Sequence, residues 1–314
     1  MLDVRRLRVL SEVAAQGSFS AAAHALTLTQ SAVSQHVAAL EREVGLPLVE
    51  RGTRPVQLTE AGFALVRHAT GIFARIDGAE QELGEIAGRR HGRLRFGSFP
   101  TALATIVPPA FARFRRGHPD VTLTVVDDHL QRLIPRLESG ELDLALIYDH
   151  EALPELAGRD FHRTPLLDDV FRALLPAGHR LTRRRRPLEL ADLAGEAWIG
   201  GAPISAWYRI VGHACRRAGF APQAAFASDD NVAIQALVAA GLGVAVLPGL
   251  AVVQPLPGIE VRTIASGAPV RHVSAARPRD GYHGPAVTEM LESLRAAADA
   301  FAGDVGHIGP ELTA

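Results

Sequence analysis

The chain is poor in the residues that would mark several common functions. It has a single cysteine, Cys215, which excludes an internal disulfide and any cysteine-cluster metal site. That residue reads as a small buried hydrophobe. Lysine is absent, so all 33 Lys-or-Arg positions are arginine. No apolar run approaches the ~18 residues of a membrane-spanning helix, so no membrane partner is expected. The first ten residues carry Arg5, Arg6 and Arg8 and lack the apolar core of about 7–15 residues that a secretion signal needs, which predicts a cytoplasmic location. Neither sign of charge dominates: 33 basic against 34 acidic side chains leave a net charge of −1, so bulk electrostatics does not announce a polyanionic partner. The nucleophile elbow, the paired zinc-binding histidines, the phosphate loop and the dinucleotide-binding glycines are all missing. The histidines are scattered, and His213 with Cys215 lacks further ligands at metal spacing. No catalytic residue, metal site or cofactor is therefore assigned.

At 314 residues, 47% hydrophobic and 21% charged, the chain has the make-up of a globular protein of two or three domains. Residues 17–45 are its most informative stretch. Residues 19–26 form a short Ala-rich helix that Ser18 or Ser20 can cap. Thr27, Leu28 and Thr29 interrupt it. From Gln30 a second helix carries Val33, Val37, Leu40 and Val44 at steps of four, three and four, which keeps one face apolar. Its other face shows Ser31, Ser34, Gln35 and Ala38, short or hydrogen-bonding and uncharged. Two helices, a tight turn and a polar second helix describe a helix-turn-helix able to lie in a DNA major groove.

The neighbours strengthen that reading. Residues 46–59 hold two short β-like runs around Gly52 and Pro55, a wing whose Arg51 and Arg54 can reach phosphates or a minor groove. Thr59 can then cap a long helix in which Leu65, Ala69, Ile72, Ile76, Ala79, Leu83 and Ile86 alternate steps of four and three. Such a seam pairs with a second copy of the chain. Through residue 58, however, six arginines face five carboxylates, so DNA binding must come from where the arginines sit.

Residues 2–66 resemble the N-terminus of a LysR-type transcriptional regulator. The resemblance is carried without a gap by Leu7, Phe19, Ala22, Ala23, Leu26, Gln30, Ser31, Ser34, Leu40, Glu41, Gly45, Leu48, Arg51, Leu58, Thr59, Ala61 and Gly62, and extends more loosely to about residue 300. It implies a double-stranded, dyad-symmetric operator as partner, DNA contacts from Ser20, Thr29, Gln30, Ser31, Ser34, Gln35, Arg51 and Arg54, a homodimer assembling into a homotetramer, and a small-molecule effector. Gln35 stands where many relatives carry arginine.

Beyond the hinge at residues 88–92, strands and helices alternate. Strands are expected at 94–98, 121–126, 142–147, 170–175, 197–199, 224–227, 261–264 and 270–275. Helices are expected at 130–138, 188–193, 207–218, 231–240 and 285–301. Strand-helix-strand alternation argues for a largely parallel α/β arrangement. A chain that leaves one subdomain, builds another and returns gives two lobes around a cleft, and the resemblance implies the same periplasmic-binding-protein-like shape. The expected organisation is an all-α winged helix-turn-helix at 1–58, a linker helix and hinge at 59–92, and an effector module at 93–302. In that module lobe I spans about 93–164 and 265–302 and lobe II about 165–264, with a tail at 303–314.

Ligands of open α/β sheets bind at strand C-terminal ends near helix N-termini. That points to Ser98, Phe99 and Thr101, to His129 and Tyr148, to Gly200, Gly201 and Pro203, and to Asp229. Ser98, Thr101 and Asp229 equally suit helix caps, and no arginine or carboxylate is placed to define the effector's charge. The run at residues 183–186 reads as a solvated loop. The alternatives are a solute-binding module, or a small-molecule enzyme fused to a DNA-binding domain.

Overall fold

Side-chain caps set the N-terminal helices. The computed structural model describes residues 1–50, 52, 55–87, 92–154, 161–184, 186–203, 205–279 and 283–307. Asp3 accepts the Arg5 N–H at 2.7 Å and starts α1 (Val4–Gln16). Ser18, not Ser20, caps α2 (Phe19–Ala25) by accepting the Ala21 N–H. Thr29 caps α3 (Gln30–Val44) through the Ala32 N–H. Leu7, Leu10 and Val13 of α1, Ala22 and Ala23 of α2, and Val33, Val37 and Leu40 of α3 close into one core. Val49 and Leu58 form the antiparallel bridge at the base of the wing; Arg51 and Arg54 lie outside the described residues. Thr59 accepts the Gly62 N–H at 3.1 Å and donates to the Pro47 carbonyl at 2.7 Å, which starts α4 (Glu60–Ile86) directly off the wing.

The apolar stripe of α4 divides in two. Leu65, Ala69 and Ile72 join the core of the first three helices, and Ala69 has 0% of its surface exposed. Ala69 therefore faces its own domain, which corrects the expectation that it sits at a seam with a twin chain. A stripe at this spacing is apolar whichever neighbour covers it, and the first turns of α4 have the N-terminal domain beside them. Ile76, Ala79, Leu83 and Ile86 farther along are exposed, Ile86 by 76%, as is Phe63.

The remaining chain builds the two lobes. In the first, β1 (Arg93–Ser98) is parallel to β2 (Thr122–Asp127) and to β3 (Leu144–Asp149). Helices α5 (Pro100–Ala104), α6 (Val107–Gly117), α7 (Leu130–Glu138) and the last helix α10 (Pro285–His307) accompany this part of the sheet. The strand expected at 170–175 is the second half of a 16-residue strand, β4 (Phe161–Pro176). Residues 161–170 of β4 pair with β9 (Val270–Pro278); residues 171–176 pair with β7 (Ala245–Pro248) and β8 (Ile259–Thr263) of the second lobe. There β5 (Trp198–Gly200) and β6 (Ala224–Ala227) form a separate parallel pair, flanked by α8 (Ala206–Arg217) and α9 (Asn231–Ala239).

The sheet is mixed rather than largely parallel, because β4 carries the chain out of the first lobe and β9 brings it back. Two crossing strands that are neighbours must run in opposite directions, and β9 is antiparallel to both β3 and β4. The helix expected at 188–193 is a single 3-10 turn, Leu190–Leu193. The last helix continues past residue 301 to His307.

Gly62 lies where α4 passes the wing, and a β-carbon there would stand 2.1 Å from the Leu48 carbonyl oxygen. Gly→Ala inside a helix ordinarily stabilises by up to ~1 kcal/mol, but a clash with backbone cannot be relieved by a rotamer change. Gly62→Ala is expected to lower stability by about 1–3 kcal/mol, read as an earlier midpoint in thermal or urea unfolding; an unchanged or later midpoint contradicts this packing.

Candidate DNA-reading face and effector cavity

The polar residues of α3 stand where the sequence puts them. Gln30, Ser31, Ser34, Gln35 and Ala38 are turned outward, while Val33, Val37 and Leu40 are buried on the opposite side. The exposed hydroxyl of Ser20 donates to Gln30 Oε1 at 3.1 Å, which leaves the Gln30 amide N–H groups to donate elsewhere. Thr29 and Ser31 hydroxyls share a 3.0 Å hydrogen bond. The acidic residues of α3 are turned away from this face. Glu41 accepts the Leu48 N–H at 2.8 Å and so anchors the wing. Glu43 pairs with Arg6 and with the N-terminal ammonium of Met1. The near-balance of charge in this domain thus hides a division: two carboxylates serve the fold, and the outward polar stripe carries none.

The sequence-predicted effector residues converge only in part. A cavity of about 310 Å³ lies between the lobes, and Phe99, Thr101, His129, Tyr148 and Asp229 all line it. Four others do not. Ser98 is buried with its hydroxyl donating to the Phe99 carbonyl. Gly200 and Gly201 do allow a close approach, but of the protein's own groups: a β-carbon on Gly200 would stand 2.0 Å from the Trp207 indole ring, and one on Gly201 2.4 Å from the Ser205 hydroxyl. Pro203 is exposed outside the cavity. The Trp207 indole N–H donates to the Val246 carbonyl at 2.7 Å, which fixes the ring as the second lobe's wall.

The charged residue at the heart of the cavity is not legible in the sequence. Arg271 on β9 lines it while only 5% exposed, paired with buried Asp169 of β4. Arg271 and Asp169 are cross-strand partners in the register of the two crossing strands. The guanidinium also donates to Thr101 Oγ1 at 3.0 Å and lies 4.6 Å from the Tyr148 ring centroid, 5.0 Å from Phe99 and 5.7 Å from Phe171. Burial pushes the Tyr148 phenol up, offset in part by the neighbouring Arg271 charge. Alternation within β9 puts Arg271 and Val273 on one face, but nothing local signals that the face is a cavity. Ser205 and Ile234 escape sequence reasoning for the same reason.

Two members of the arginine run, Arg184 and Arg186, have a structural role. Arg184 and Arg186 both pair with Asp192 at 2.6 Å, and Arg262 donates to the carbonyls of Leu181, Thr182, Arg184 and Arg186. Arg185 lies outside the described residues. A direct check on the cavity wall is Gly200→Ala, which should displace the indole of Trp207. The expected result is red-shifted, more readily quenched tryptophan emission; an unchanged spectrum contradicts the placement of Trp207.

Comparison with known proteins agrees with both parts. A family model described as "Bacterial regulatory helix-turn-helix protein, lysR family" matches residues 4–63, and one described as "LysR substrate binding domain" matches residues 87–299. The chain is 31% identical over 300 residues to the probable HTH-type transcriptional regulator LrrA of Synechococcus elongatus, covering 95% of this chain and 98% of that protein. It is 38% identical over 181 residues to a probable hydrogen peroxide-inducible genes activator of Mycobacterium xenopi, covering 57% of this chain and 93% of that protein. The structure of a full-length OxyR variant from Pseudomonas aeruginosa superposes with a TM-score of 0.71 at 26% identity, covering 94% of this chain and 95% of that one. The chain belongs to the LysR family of DNA-binding transcriptional regulators, with a helix-turn-helix domain followed by a two-lobed effector-binding module.

Proposed function

We propose that two copies of α3, held by paired α4 helices, read a dyad-symmetric operator, and that a small molecule between the lobes changes how they are presented to it. The supporting observation is the outward, carboxylate-free stripe Gln30, Ser31, Ser34 and Gln35 over a buried apolar stripe. Glutamine suits adenine bidentately, and each good base contact discriminates by ~1–3 kcal/mol. Ser20 and Thr29, exposed beside that face and hydrogen-bonded to Gln30 and Ser31, contact the duplex with it, and Arg51 and Arg54 of the wing contact phosphates or the minor groove.

Ile76, Ala79, Leu83 and Ile86, exposed in the single chain, form the seam of the dimer together with Leu65 and Ile72 at its margin. A homotetramer follows if the exposed edges of the effector modules also pair, for which exposed Val125 on β2 and Phe226 on β6 are the candidates. The protein acts on DNA without catalysing a reaction, requires no cofactor, and works in the cytoplasm where its operator lies.

Two elements run from the cavity to the linker helix. β1 ends at Ser98, next to Phe99 of the cavity wall, and at its other end Arg93 pairs with Asp77 of α4 at 2.8 Å. Arg95 bridges Asp143, at 2.6 Å, and the same Asp77. α7 begins beside His129 of the cavity wall, and just past its end Gly140 passes Ala74 so closely that a β-carbon would stand 2.8 Å away. Lobe movement on ligand binding thereby reaches α4 within one chain and shifts the population of DNA-binding arrangements.

A thiol-based peroxide response, suggested by the names of some relatives, has weaker support. The sole cysteine is buried, and burial pushes its thiol up to about 12, whereas a sensing cysteine needs an accessible thiolate.

Duplexes selected by the full-length protein from a random pool should share a dyad. Gln30→Ala and Ser34→Ala should each weaken binding to them by roughly 5- to 100-fold, from ~1–3 kcal/mol per contact, with little effect on random DNA. A monomeric protein, or selection without enrichment, overturns the proposal. Asp77→Asn should leave ligand affinity intact while reducing the ligand's effect on footprint length; a full effect in that variant removes β1 from the coupling route.

A further inference from the structure

Each of the first three helices ends on a left-handed residue, and one of the three is an unusual choice. Gly17 closes α1 at φ +60° and Gly45 closes α3 at φ +77°. α2 turns the same way at Thr27, φ +54°, the one non-glycine residue with positive φ among those described. The Thr27 N–H donates to the His24 carbonyl at 3.2 Å and the Leu28 N–H to the Ala23 carbonyl at 2.8 Å. These two bonds are the usual glycine-ended helix stop, so the turn needs the left-handed backbone but not this side chain.

A β-branched residue is strained there, because its β-carbon crowds the neighbouring carbonyl, whereas glycine takes the conformation freely. Nothing within the described chain offsets that strain. Thr27 is exposed, and its hydroxyl has no hydrogen-bond partner among the described residues. The hydroxyls around it are all engaged: Ser18 and Thr29 as helix caps, Ser20 with Gln30, and Ser31 with Thr29. A strained residue kept for its side chain points to a partner outside the chain. Thr27 lies between α2 and α3, two residues ahead of the α3 cap. In a helix-turn-helix the second helix enters the major groove by its N-terminal residues while the first crosses the backbone, so the turn between them meets the groove edge.

We infer that Thr27 is a DNA-contacting residue whose hydroxyl donates to a phosphate oxygen at the edge of the groove that α3 enters. The contact rests on the reading of α3 as the groove-entering helix. A hydroxyl donating to an ionised oxygen makes a charge-assisted bond, stronger than one between neutral groups. Held by the turn, the side chain is in place before the duplex arrives, and a phosphate contact grips every sequence alike. Thr27 therefore contributes affinity and register, while Gln30 and Ser34 contribute discrimination.

Three variants of the full-length protein separate hydroxyl, shape and strain, each titrated with a duplex selected from a random pool and with random duplex. Thr27→Val keeps the branched shape and the strain but loses the donor. It should weaken binding to both duplexes by about five- to thirtyfold at an unchanged unfolding midpoint. The salt dependence should stay as it was, since a neutral donor displaces no counterion. Thr27→Gly should weaken both duplexes at least as much, yet raise the unfolding midpoint by about 2–5 °C. Thr27→Ser keeps the donor and should bind like the parent protein. Valine or glycine variants that bind as tightly as the parent, a serine variant that does not, or a glycine variant with no higher midpoint overturns the inference. A loss confined to the selected duplex also overturns it, because Thr27 would then read a base. If the parent itself fails to distinguish the two duplexes, that counts against α3 as the reader, and the same variants on random duplex still decide the phosphate contact.

Discussion

The effector module is built around one buried ion pair, Asp169 with Arg271. Both residues lie on the strands that cross between lobes, directly opposite each other in the register, and both are almost wholly removed from water. Burying two charges is costly, and their attraction compensates only if the remaining donors and acceptors are satisfied. Here they are met by the Leu250 N–H, the Thr101 hydroxyl and three aromatic faces. These partners come from different places: Leu250 follows β7 of the second lobe, while Thr101 and Tyr148 belong to the first. The pair therefore ties the crossing strands to both lobes at the floor of the cavity, and any change in lobe arrangement must be accommodated around it.

The same economy of charge governs the N-terminal domain. Its carboxylates nearest the reading helix are occupied by the fold, Glu41 by the wing's backbone and Glu43 by Arg6 and the N-terminus. Net charge there is almost nil, yet the surface of α3 offered to a duplex is free of anions. Position rather than composition makes the domain fit for a polyanion. The linker helix belongs to both halves of the molecule. Its first turns complete the helix-turn-helix core through Ala69, and its later turns meet the first lobe through Asp77. A helix anchored at both ends transmits displacement better than a loop would, because its hydrogen bonds keep its length fixed.

Much of this is legible from the residue order wherever the signal is local. Apolar spacing and the interruption at residues 27–29 place the helix at Gln30, and α7 and β6 fall on the expected residues. The stripe on α4 is legible as a stripe but not as to its partner: spacing says that a face is buried, never by what, so Ala69 goes to its own domain. Only the second half of the crossing strand β4 announces itself. Its first half holds Pro165, which cannot donate to a ladder, and the register with β9 shifts just after that residue. Such an irregular run lacks the clean alternation that marks a strand.

Residue order alone established the helix-turn-helix, the linker helix, the two-lobed α/β module and the family, because caps, periodicity and motif spacing act over a few residues. Which side chains share the cavity was settled only by folding. Asp169 and Arg271 are 102 residues apart, and Thr101 and Arg271 are 170 apart. No local pattern records that a strand leaving one lobe will lie beside the strand returning to it. Contacts of that range are fixed by sheet register, and register exists only once the chain has folded.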